Sequence, residues 1–351
     1  MTPFQPDYRH LIDAACNRVP ARLPLYEHGF SHEVVQAITG VDVAALFAGN
    51  RADQTEYFRV LCRFAASHGY DAIPFESCFC GVVQQGQGLM GHAGPLIQSQ
   101  ADLEAYPWAA KLAEYQALSR DAFEALRAAL PPGMKAVGGV GNGLMETIQD
   151  FVPYQQLAYL MADDPGLYAR LWSRIGDVLL DAWKWVLAEY ADLFAVCRFG
   201  DDLGFRTSTL VSPDDIRAHI LPQYRRIVGQ VHHHGKPFLL HSCGQIHAVM
   251  EDLIREVKID AKHSNEDQIC PFRVWLERYG DRIGNFGGIE MNVLCLESPE
   301  RIRDYVRGVL ADSQGHGGVA IGSGNQISPY IPPQSFITMT ETVRQWRGDF
   351  R

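Results

Sequence analysis

The chain has 351 residues, of which 47% are hydrophobic and 21% are charged, and its formal net charge is −10 at pH 7. This composition supplies enough apolar side chains for a large core and shows no sign of disorder. A net negative charge would repel a phosphate backbone, so it argues against a nucleic acid or an anionic membrane surface as a partner. We therefore expect a small-molecule substrate.

Neither an export signal nor a membrane segment is visible in the sequence. Residues 1–7 lack a basic stretch followed by an apolar one, and no apolar run reaches the roughly 18 residues of a membrane span. The eight cysteines are scattered along the chain, unlike the dense framework of a small secreted domain. These features predict reduced thiols and a cytoplasmic protein, and they leave the oligomeric state open.

Short apolar, β-branched or aromatic runs alternate with long stretches of helical periodicity, which is typical of β-α units around a parallel sheet. Eight runs are predicted as strands, at residues 23–27, 71–75, 135–140, 194–200, 237–241, 259–263, 283–288 and 318–322. Because eight strands close a barrel, we predict an α/β fold of the (β/α)8 TIM-barrel type. Residues 1–351 form a single domain in this prediction, and residues 1–22 form an N-terminal helical extension over the bottom of the barrel.

Two helical segments carry clear apolar stripes. Apolar side chains recur at three- and four-residue spacings in residues 163–191 and again in residues 213–233. Ser212 precedes a proline at the start of the second segment. We therefore predict that the Ser212 hydroxyl caps this helix.

Polar residues follow the predicted strands at their C-terminal ends, where barrels of this type carry their active sites. These residues are Glu27, His28, Glu76, Asn142, Asp201, Asp202, His241, Cys243, His263, Asn265, Glu266, Glu290, Ser323 and Asn325. Burying such groups without a partner is costly, so their convergence predicts a ligand site. The predicted contacts to the substrate are Glu27, Glu76, Asn142 and Asn325.

His241 and Cys243 stand two positions apart, directly after the apolar run at residues 237–240. Alternate residues of an extended strand point the same way, so the imidazole and the thiolate can share one metal ion. Both are good zinc ligands, and zinc held by few protein groups keeps an open position for chemistry. The alternative is that these two side chains only pack at the end of a strand.

Three further residues are predicted to act in catalysis. Asp201 and Asp202 would orient the substrate or move its proton, because adjacent carboxylates at a dry strand end can have pKa values pushed apart. His263 is a second acid or base candidate. The alternative for both aspartates is a structural role in capping a helix or fixing a loop.

Several of these stretches together resemble the uroporphyrinogen decarboxylase superfamily, and within it most closely the corrinoid-dependent methyltransferases of the methylcobalamin:coenzyme M type. They are Gly-Asp-Asp-Leu-Gly at 200–204, Ser-Pro at 212–213, Leu-Pro-Gln-Tyr at 221–224 and Leu-His-Ser-Cys-Gly at 240–244. The resemblance covers most of the chain and is densest from about residue 194 to residue 333. It implies a barrel fold.

In the methyltransferases that the chain resembles, zinc is held by the His-x-Cys pair and by a further cysteine after the last strand. Here residues 321–327 read Ile-Gly-Ser-Gly-Asn-Gln-Ile, without a cysteine. Glu266, His263 and Cys295 are the candidates for the third ligand. Glu266 is preferred, because the related cobalamin-independent methionine synthases are similar in using a glutamate after the sixth strand, and a carboxylate is an ordinary zinc ligand.

The resemblance implies zinc-dependent transfer of a methyl group between a small methylated compound or thiol and a corrinoid. The corrinoid would be methylcobalamin itself or a group carried by a corrinoid-binding partner protein. One alternative is a uroporphyrinogen decarboxylase, whose arginine-rich motif, aspartate and histidine are absent at residues 25–30, 75–78 and 322–325. A glutamate in such a site would repel a substrate with many carboxylates. Another alternative is a non-catalytic barrel that binds a tetrapyrrole or corrinoid.

Overall fold

A computed structural model describes residues 4–83 and 94–350 of the chain. One sheet of seven strands runs in chain order, and all neighbouring strands are parallel. The strands are β1 (Ala72–Cys78), β2 (Lys135–Gly141), β3 (Phe194–Gly200), β4 (Phe238–His241), β5 (Ala261–His263), β6 (Gly284–Ile289) and β7 (Val319–Ser323). The fold is therefore α/β and TIM-barrel-like.

Helices connect successive strands, as parallel pairing requires. They are α1 (Arg9–Ala15), α2 (His32–Thr39), α3 (Val43–Ala48), α4 (Arg51–Ser67), α5 (Gln100–Ala105), α6 (Trp108–Ala129), α7 (Leu144–Phe151), α8 (Tyr154–Asp163), α9 (Pro165–Tyr190), α10 (Pro213–Asp215), α11 (Leu221–His233), α12 (Met250–Asp252), α13 (Phe272–Tyr279), α14 (Met291–Leu296), α15 (Pro299–Asp312) and α16 (Pro333–Arg347). Within residues 4–83 and 94–350, no helix has the length and hydropathy that a membrane crossing needs. The single-domain and cytoplasmic assignments stay predictions.

Both predicted helical segments are helical in the structure. α9 matches the first closely, and the second consists of α10, a π-helical turn at Ile216–Ile220 and α11. The Ser212 hydroxyl accepts a hydrogen bond from the N–H of Asp215 at 3.0 Å, which confirms the predicted cap.

The prediction of a first strand at residues 23–27 is wrong. In the described part of the chain this segment forms one parallel bridge, between Leu25 and Ile321 of β7. The N–H of Tyr26 donates to the Ile321 carbonyl at 2.9 Å, and the N–H of Ile321 donates to the Pro24 carbonyl at 3.0 Å. Proline has no N–H, so the ladder cannot extend through Pro24. The segment lies beside β7 without becoming an eighth strand. The other seven predicted strands are present, with ends moved by up to three residues.

The N-terminal helix α1 lies at the bottom of the sheet. Its buried residues Leu11, Ala14 and Ala15 pack against strand residues near the N-terminal ends of the strands. Those strand residues are Ala72, Val137, Ala195, Val196, Leu239, Ala261, Phe286 and Ala320. A Cβ atom at Gly284 would come within 2.5 Å of the Ala14 carbonyl oxygen, so the glycine allows this close approach. The bottom of the sheet is thus covered, and its other end carries the polar residues.

Candidate functional site

His241 and Cys243 meet at the C-terminal end of β4. The Cys243 Sγ atom lies 3.5 Å from Nε2 of the His241 ring. The Asp202 Oδ1 atom lies 4.0 Å from the same nitrogen and accepts the N–H of Cys243 at 2.8 Å. A nitrogen, a sulfur and an oxygen donor therefore stand within 4.8 Å of one another, which is close enough to hold one metal ion.

The proton positions on two neighbouring rings follow from their contacts. Burial lowers the pKa of His263 to about 3, so this ring is neutral and carries one proton. Its Nε2 lies 3.0 Å from the Ser323 carbonyl oxygen, which only accepts, so the proton is on Nε2. The Nδ1 of His263 must then accept, and the Nδ1 of His241, 2.7 Å away, must donate. Since burial also lowers the pKa of His241, its Nε2 presents a lone pair toward Cys243.

A third imidazole stacks on this pair. The ring of His28 lies 3.8 Å from that of His241 between centroids, at an interplanar angle of 24°. The Nδ1 of His28 is buried and has no hydrogen-bond partner among residues 4–83 and 94–350. His28, His241 and His263 form a second group whose ligand atoms lie within 4.8 Å of one another. The sequence places His28 after the first predicted strand, but its spacing does not indicate this role.

The Cys243 sulfur has two hydrogen-bond donors beside it. The Nδ2 of Asn325 lies 3.3 Å from Sγ, and the Ser264 hydroxyl lies 3.6 Å from it. Burial, and then the charge of Asp202, raise the pKa of the Cys243 thiol. Asn325 was predicted to contact the substrate, and in the structure it contacts this sulfur. Asn325 lies within residues 321–327, the stretch at the end of the last strand that contains no cysteine.

Asp201 holds the start of helix α7. Its carboxylate accepts the N–H of Met145 at 2.9 Å and that of Glu146 at 2.8 Å, and it also accepts the Tyr224 hydroxyl. A Cβ atom at Gly143 would collide with this carboxylate. Burial raises the pKa of Asp201 to about 6. These contacts are those of a helix cap, which is the structural alternative considered for this residue.

Glu146 faces the histidines and is not among the predicted site residues. Its Oε1 accepts the N–H of Asp202 at 3.1 Å. A Cβ atom at Gly200 would lie 3.5 Å from Cδ2 of His241, 3.6 Å from Cε1 of His28 and 3.7 Å from Oε1 of Glu146, so these three side chains border one small space. Burial and the two neighbouring aspartates raise the pKa of Glu146 to about 9, so it holds a proton at neutral pH. The signal in the sequence is a glutamate soon after the glycine run that ends β2.

A cavity of about 250 Å³ opens next to His28. It is lined by His28, Gly29, Phe30, Phe47, Tyr57, Leu61, Pro74, Phe75, Glu76, Cys78, Arg198 and Gln326. The Nε of Arg198 donates to Glu76 at 2.7 Å, and its Nη1 donates to the Tyr26 hydroxyl at 2.8 Å. Glu76 was predicted to contact the substrate, and the structure places it in this lining. Arg198 is not among the predicted site residues, although a single arginine in an apolar strand needs such a partner.

Two other predicted substrate contacts take part in local packing. Glu27 is buried and accepts the N–H of Ser323 at 3.0 Å and the Tyr70 hydroxyl at 3.2 Å. Burial raises the pKa of Glu27 to about 8, although these hydrogen bonds act in the opposite direction. Asn142 accepts the Cys78 thiol at 3.4 Å. Neither Glu27 nor Asn142 lines the cavity.

Glu266, the preferred third ligand, does not join His241 and Cys243 in the structure. It lines a small space together with Lys262 and lies outside both groups of metal-ligand atoms, as does Cys295. The reason is local, because the neighbouring Asn265 points inward and its Oδ1 accepts the N–H of Gly288 at 3.1 Å. The carboxylate beside the pair is that of Asp202.

Comparisons with known proteins place this geometry in context. A model of the uroporphyrinogen decarboxylase (URO-D) family matches residues 83–346. No curated protein matches the chain. Among solved structures, the chain is similar to a methyltransferase from Methanosarcina mazei, with 15% identity, a TM-score of 0.75, and coverage of 97% of this chain and 99% of that one. It is also similar to a protein from Listeria monocytogenes assigned as a vitamin-B12 independent methionine synthase, with 11% identity, a TM-score of 0.49, and coverage of 95% and 99%. The first likeness supports a shared fold.

Proposed function

The chain belongs to the uroporphyrinogen decarboxylase family, whose members are enzymes, and from this premise we propose that it is a zinc-dependent methyltransferase. It would move a methyl group between a small methylated compound or a thiol and a corrinoid. The corrinoid would be methylcobalamin or a group on a partner protein. The similarity in fold to a methyltransferase supports this proposal, but the donor atoms beside His241 carry it.

The observation that carries the proposal is the spacing of two donor atoms. Zinc bonds of about 2.3 Å to sulfur and about 2.0–2.1 Å to nitrogen, at a tetrahedral angle, place the two atoms about 3.5 Å apart. The Cys243 Sγ and the His241 Nε2 are 3.5 Å apart, and that nitrogen carries no proton. His241, Cys243 and Asp202 would hold the metal. Three protein ligands leave a fourth position for a substrate.

Zinc bound there would supply Lewis-acid chemistry, which lowers the pKa of a thiol or makes an oxygen or nitrogen a better leaving group. The chain's own residues prepare for this chemistry. Ser264 and Asn325 donate toward the Cys243 sulfur and so favour its thiolate form. Glu146 holds a proton beside the space at Gly200, and it can donate this proton to a leaving group bound there.

Charge argues against the decarboxylase alternative. The carboxylates of Glu76, Asp201 and Asp202 stand at this end of the sheet, and Arg198 already pairs with Glu76. Among the described residues that line the cavity, Arg198 is the one with a guanidinium or ammonium group. A substrate with several carboxylates would need more cationic partners than this to leave water.

Metal analysis tests the ligand assignment. Protein purified without chelator is expected to contain close to one zinc per chain, and Cys243→Ala is expected to lose it. Cys295→Ala is the matched control, because this cysteine lies outside both ligand groups, and it should keep the zinc. A wild-type protein without metal would contradict the proposal.

A spectral assay tests the reaction. When wild-type protein is mixed with methylcobalamin and a small thiol, the absorption of methylcobalamin is expected to disappear as the methyl group is transferred. Cys243→Ala is expected to leave this absorption unchanged. The same assay is repeated with a panel of methylated donors and reduced corrinoid. The absence of a spectral change with every compound tested would count against methyl transfer. Corrinoid binding without turnover that survives His241→Ala would instead favour the non-catalytic barrel.

A further inference from the structure

The cavity beside His28 has walls suited to a flat apolar group. Four aromatic side chains line it, namely Phe30, Phe47, Tyr57 and Phe75, together with Leu61 and Pro74. Its volume of about 250 Å³ exceeds the roughly 150 Å³ that is enough for benzene. The space therefore accepts one ring with a few further atoms and is too small for a tetrapyrrole.

The cavity also has one polar end, formed by Arg198 and Glu76. Arg198 uses Nε for Glu76 and Nη1 for the Tyr26 hydroxyl. In the described residues, Nη2 of Arg198 and Oε2 of Glu76 are left without a hydrogen bond to the protein. The polar end can therefore offer a ligand the N–H groups of Nη2 as donors and Oε2 as an acceptor.

The charges at this end cancel. The guanidinium of Arg198 and the carboxylate of Glu76 lie 2.7 Å apart, and Arg198 is almost fully buried. A charged ligand would bring an unbalanced charge into this buried place, which is costly. The balanced pair favours a neutral ligand.

We propose that this cavity binds a small uncharged compound with a flat, ring-sized apolar body and a hydroxyl or amide end that pairs with Arg198 and Glu76. His28 lines the cavity and stacks on His241, so the bound compound lies next to the candidate metal centre. Its role as the methyl-bearing substrate rests on the proposed function. Its binding does not.

Three probes that differ mainly in charge test the ligand class. They are p-cresol, which is neutral at pH 7, 4-methylbenzoate, which is an anion, and 4-methylbenzylammonium, which is a cation. Calorimetric titration of the wild-type protein is expected to give p-cresol an affinity at least tenfold higher than that of either charged probe. Absence of p-cresol binding, or equal binding of a charged probe, would overturn the proposal.

Replacement of a wall residue tests the location. Phe47→Ala is expected to weaken p-cresol binding at least fivefold. Phe350→Ala is the matched control, because both phenylalanines are 38% exposed and Phe350 lies outside the cavity lining. An unchanged affinity in Phe47→Ala would show that p-cresol binds elsewhere, and the proposal would fail.

Replacement of the carboxylate tests the charge balance. Glu76→Gln leaves the Arg198 charge uncompensated, so 4-methylbenzoate is expected to bind at least tenfold more tightly than it binds to wild type. The melting temperature of the variant is measured alongside to show that it is folded. No gain in 4-methylbenzoate affinity in a folded variant would overturn the charge argument. All titrations are done without corrinoid, so the binding result does not depend on whether the protein transfers methyl groups. In the same way, a failure to bind p-cresol does not decide whether methyl transfer occurs.

Discussion

The Nδ1 atoms of His241 and His263 lie 2.7 Å apart, so one of the two rings must donate its proton to the other. The Ser323 carbonyl determines which ring donates, because it accepts a hydrogen bond from the Nε2–H of His263 on the far side of that ring. His241 is therefore the donor, and its Nε2 is free to bind a metal ion. His263 was predicted as an acid or base, and in the structure its two ring nitrogens contact His241 and the Ser323 carbonyl.

Loss of the His263 ring nitrogens should weaken metal binding. His263→Phe removes the acceptor that fixes the proton of His241, and comparable losses lower metal affinity about 10- to 100-fold. Competition with a chromophoric zinc chelator measures the change. His219→Phe alters a histidine in the π-helical turn at Ile216–Ile220, outside both groups of ligand atoms, and should leave the affinity as in wild type. An unchanged affinity in His263→Phe would contradict the assigned proton positions.

The two candidate carboxylate ligands can be separated directly. Asp202→Asn should lower zinc affinity at least tenfold, since Asp202 is 4.0 Å from His241 Nε2. Glu266→Gln, the matched variant at the residue preferred from the sequence, should retain wild-type affinity. The same chelator competition distinguishes them, and the opposite order of effects would restore Glu266 as the ligand.

Asp201 should matter for stability. Asp201→Ala leaves the N–H groups of Met145 and Glu146 and the Tyr224 hydroxyl without their acceptor, so we expect a loss of about 2–4 kcal/mol in the free energy of unfolding. Urea denaturation measures it. Asp214→Ala, at an exposed position, should change this free energy by less than about 0.5 kcal/mol. A fully stable but inactive Asp201→Ala would instead point to a purely catalytic residue.

Glu146 should make stability depend on pH. Its pKa is about 9 in the folded protein against 4.5 in the reference state, so the folded state binds more protons between these values. Its contribution is complete below about pH 4.5 and is lost as the pH rises through 9, with a slope of up to about 1.4 kcal/mol per pH unit.

Glu146→Gln lacks this titration. We therefore expect the free energy of unfolding of Glu146→Gln, minus that of wild type, to increase steadily between about pH 6 and pH 8 when metal is removed by chelator. Urea denaturation at several pH values gives the difference. Glu341→Gln, at an exposed position, should parallel wild type. Parallel curves for Glu146→Gln would mean that Glu146 is ionised throughout this range.

Periodicity and composition were enough to predict seven of the strands and the placement of an N-terminal helix. The segment at residues 23–27 has the composition of a strand, but Pro24 lacks the N–H that a ladder needs. The pair His241 and Cys243 could be found because their spacing at the end of a strand is a local signal, although β4 itself ends at His241. Such local patterns do not predict contacts between residues that are far apart in the sequence.

The site contacts that the sequence did not predict join distant elements. Arg198 and Glu76 are 122 positions apart, and their pairing appears only when β1 and β3 curl toward one another. The position of Asp202 beside His241 and Cys243, and that of Asn265 beside Gly288, depend on hydrogen bonds to remote backbone groups. Neither fact has a signal in nearby sequence.

The contact between Glu27 and Ser323 joins positions 296 apart. During synthesis on a ribosome, the segment at residues 23–27 emerges well before its partner β7. The bridge between this segment and β7 therefore cannot form until β7 has been made, and the β6 edge is exposed until then. A polypeptide that terminates before β7 would display this edge to other chains, so premature termination should yield aggregates.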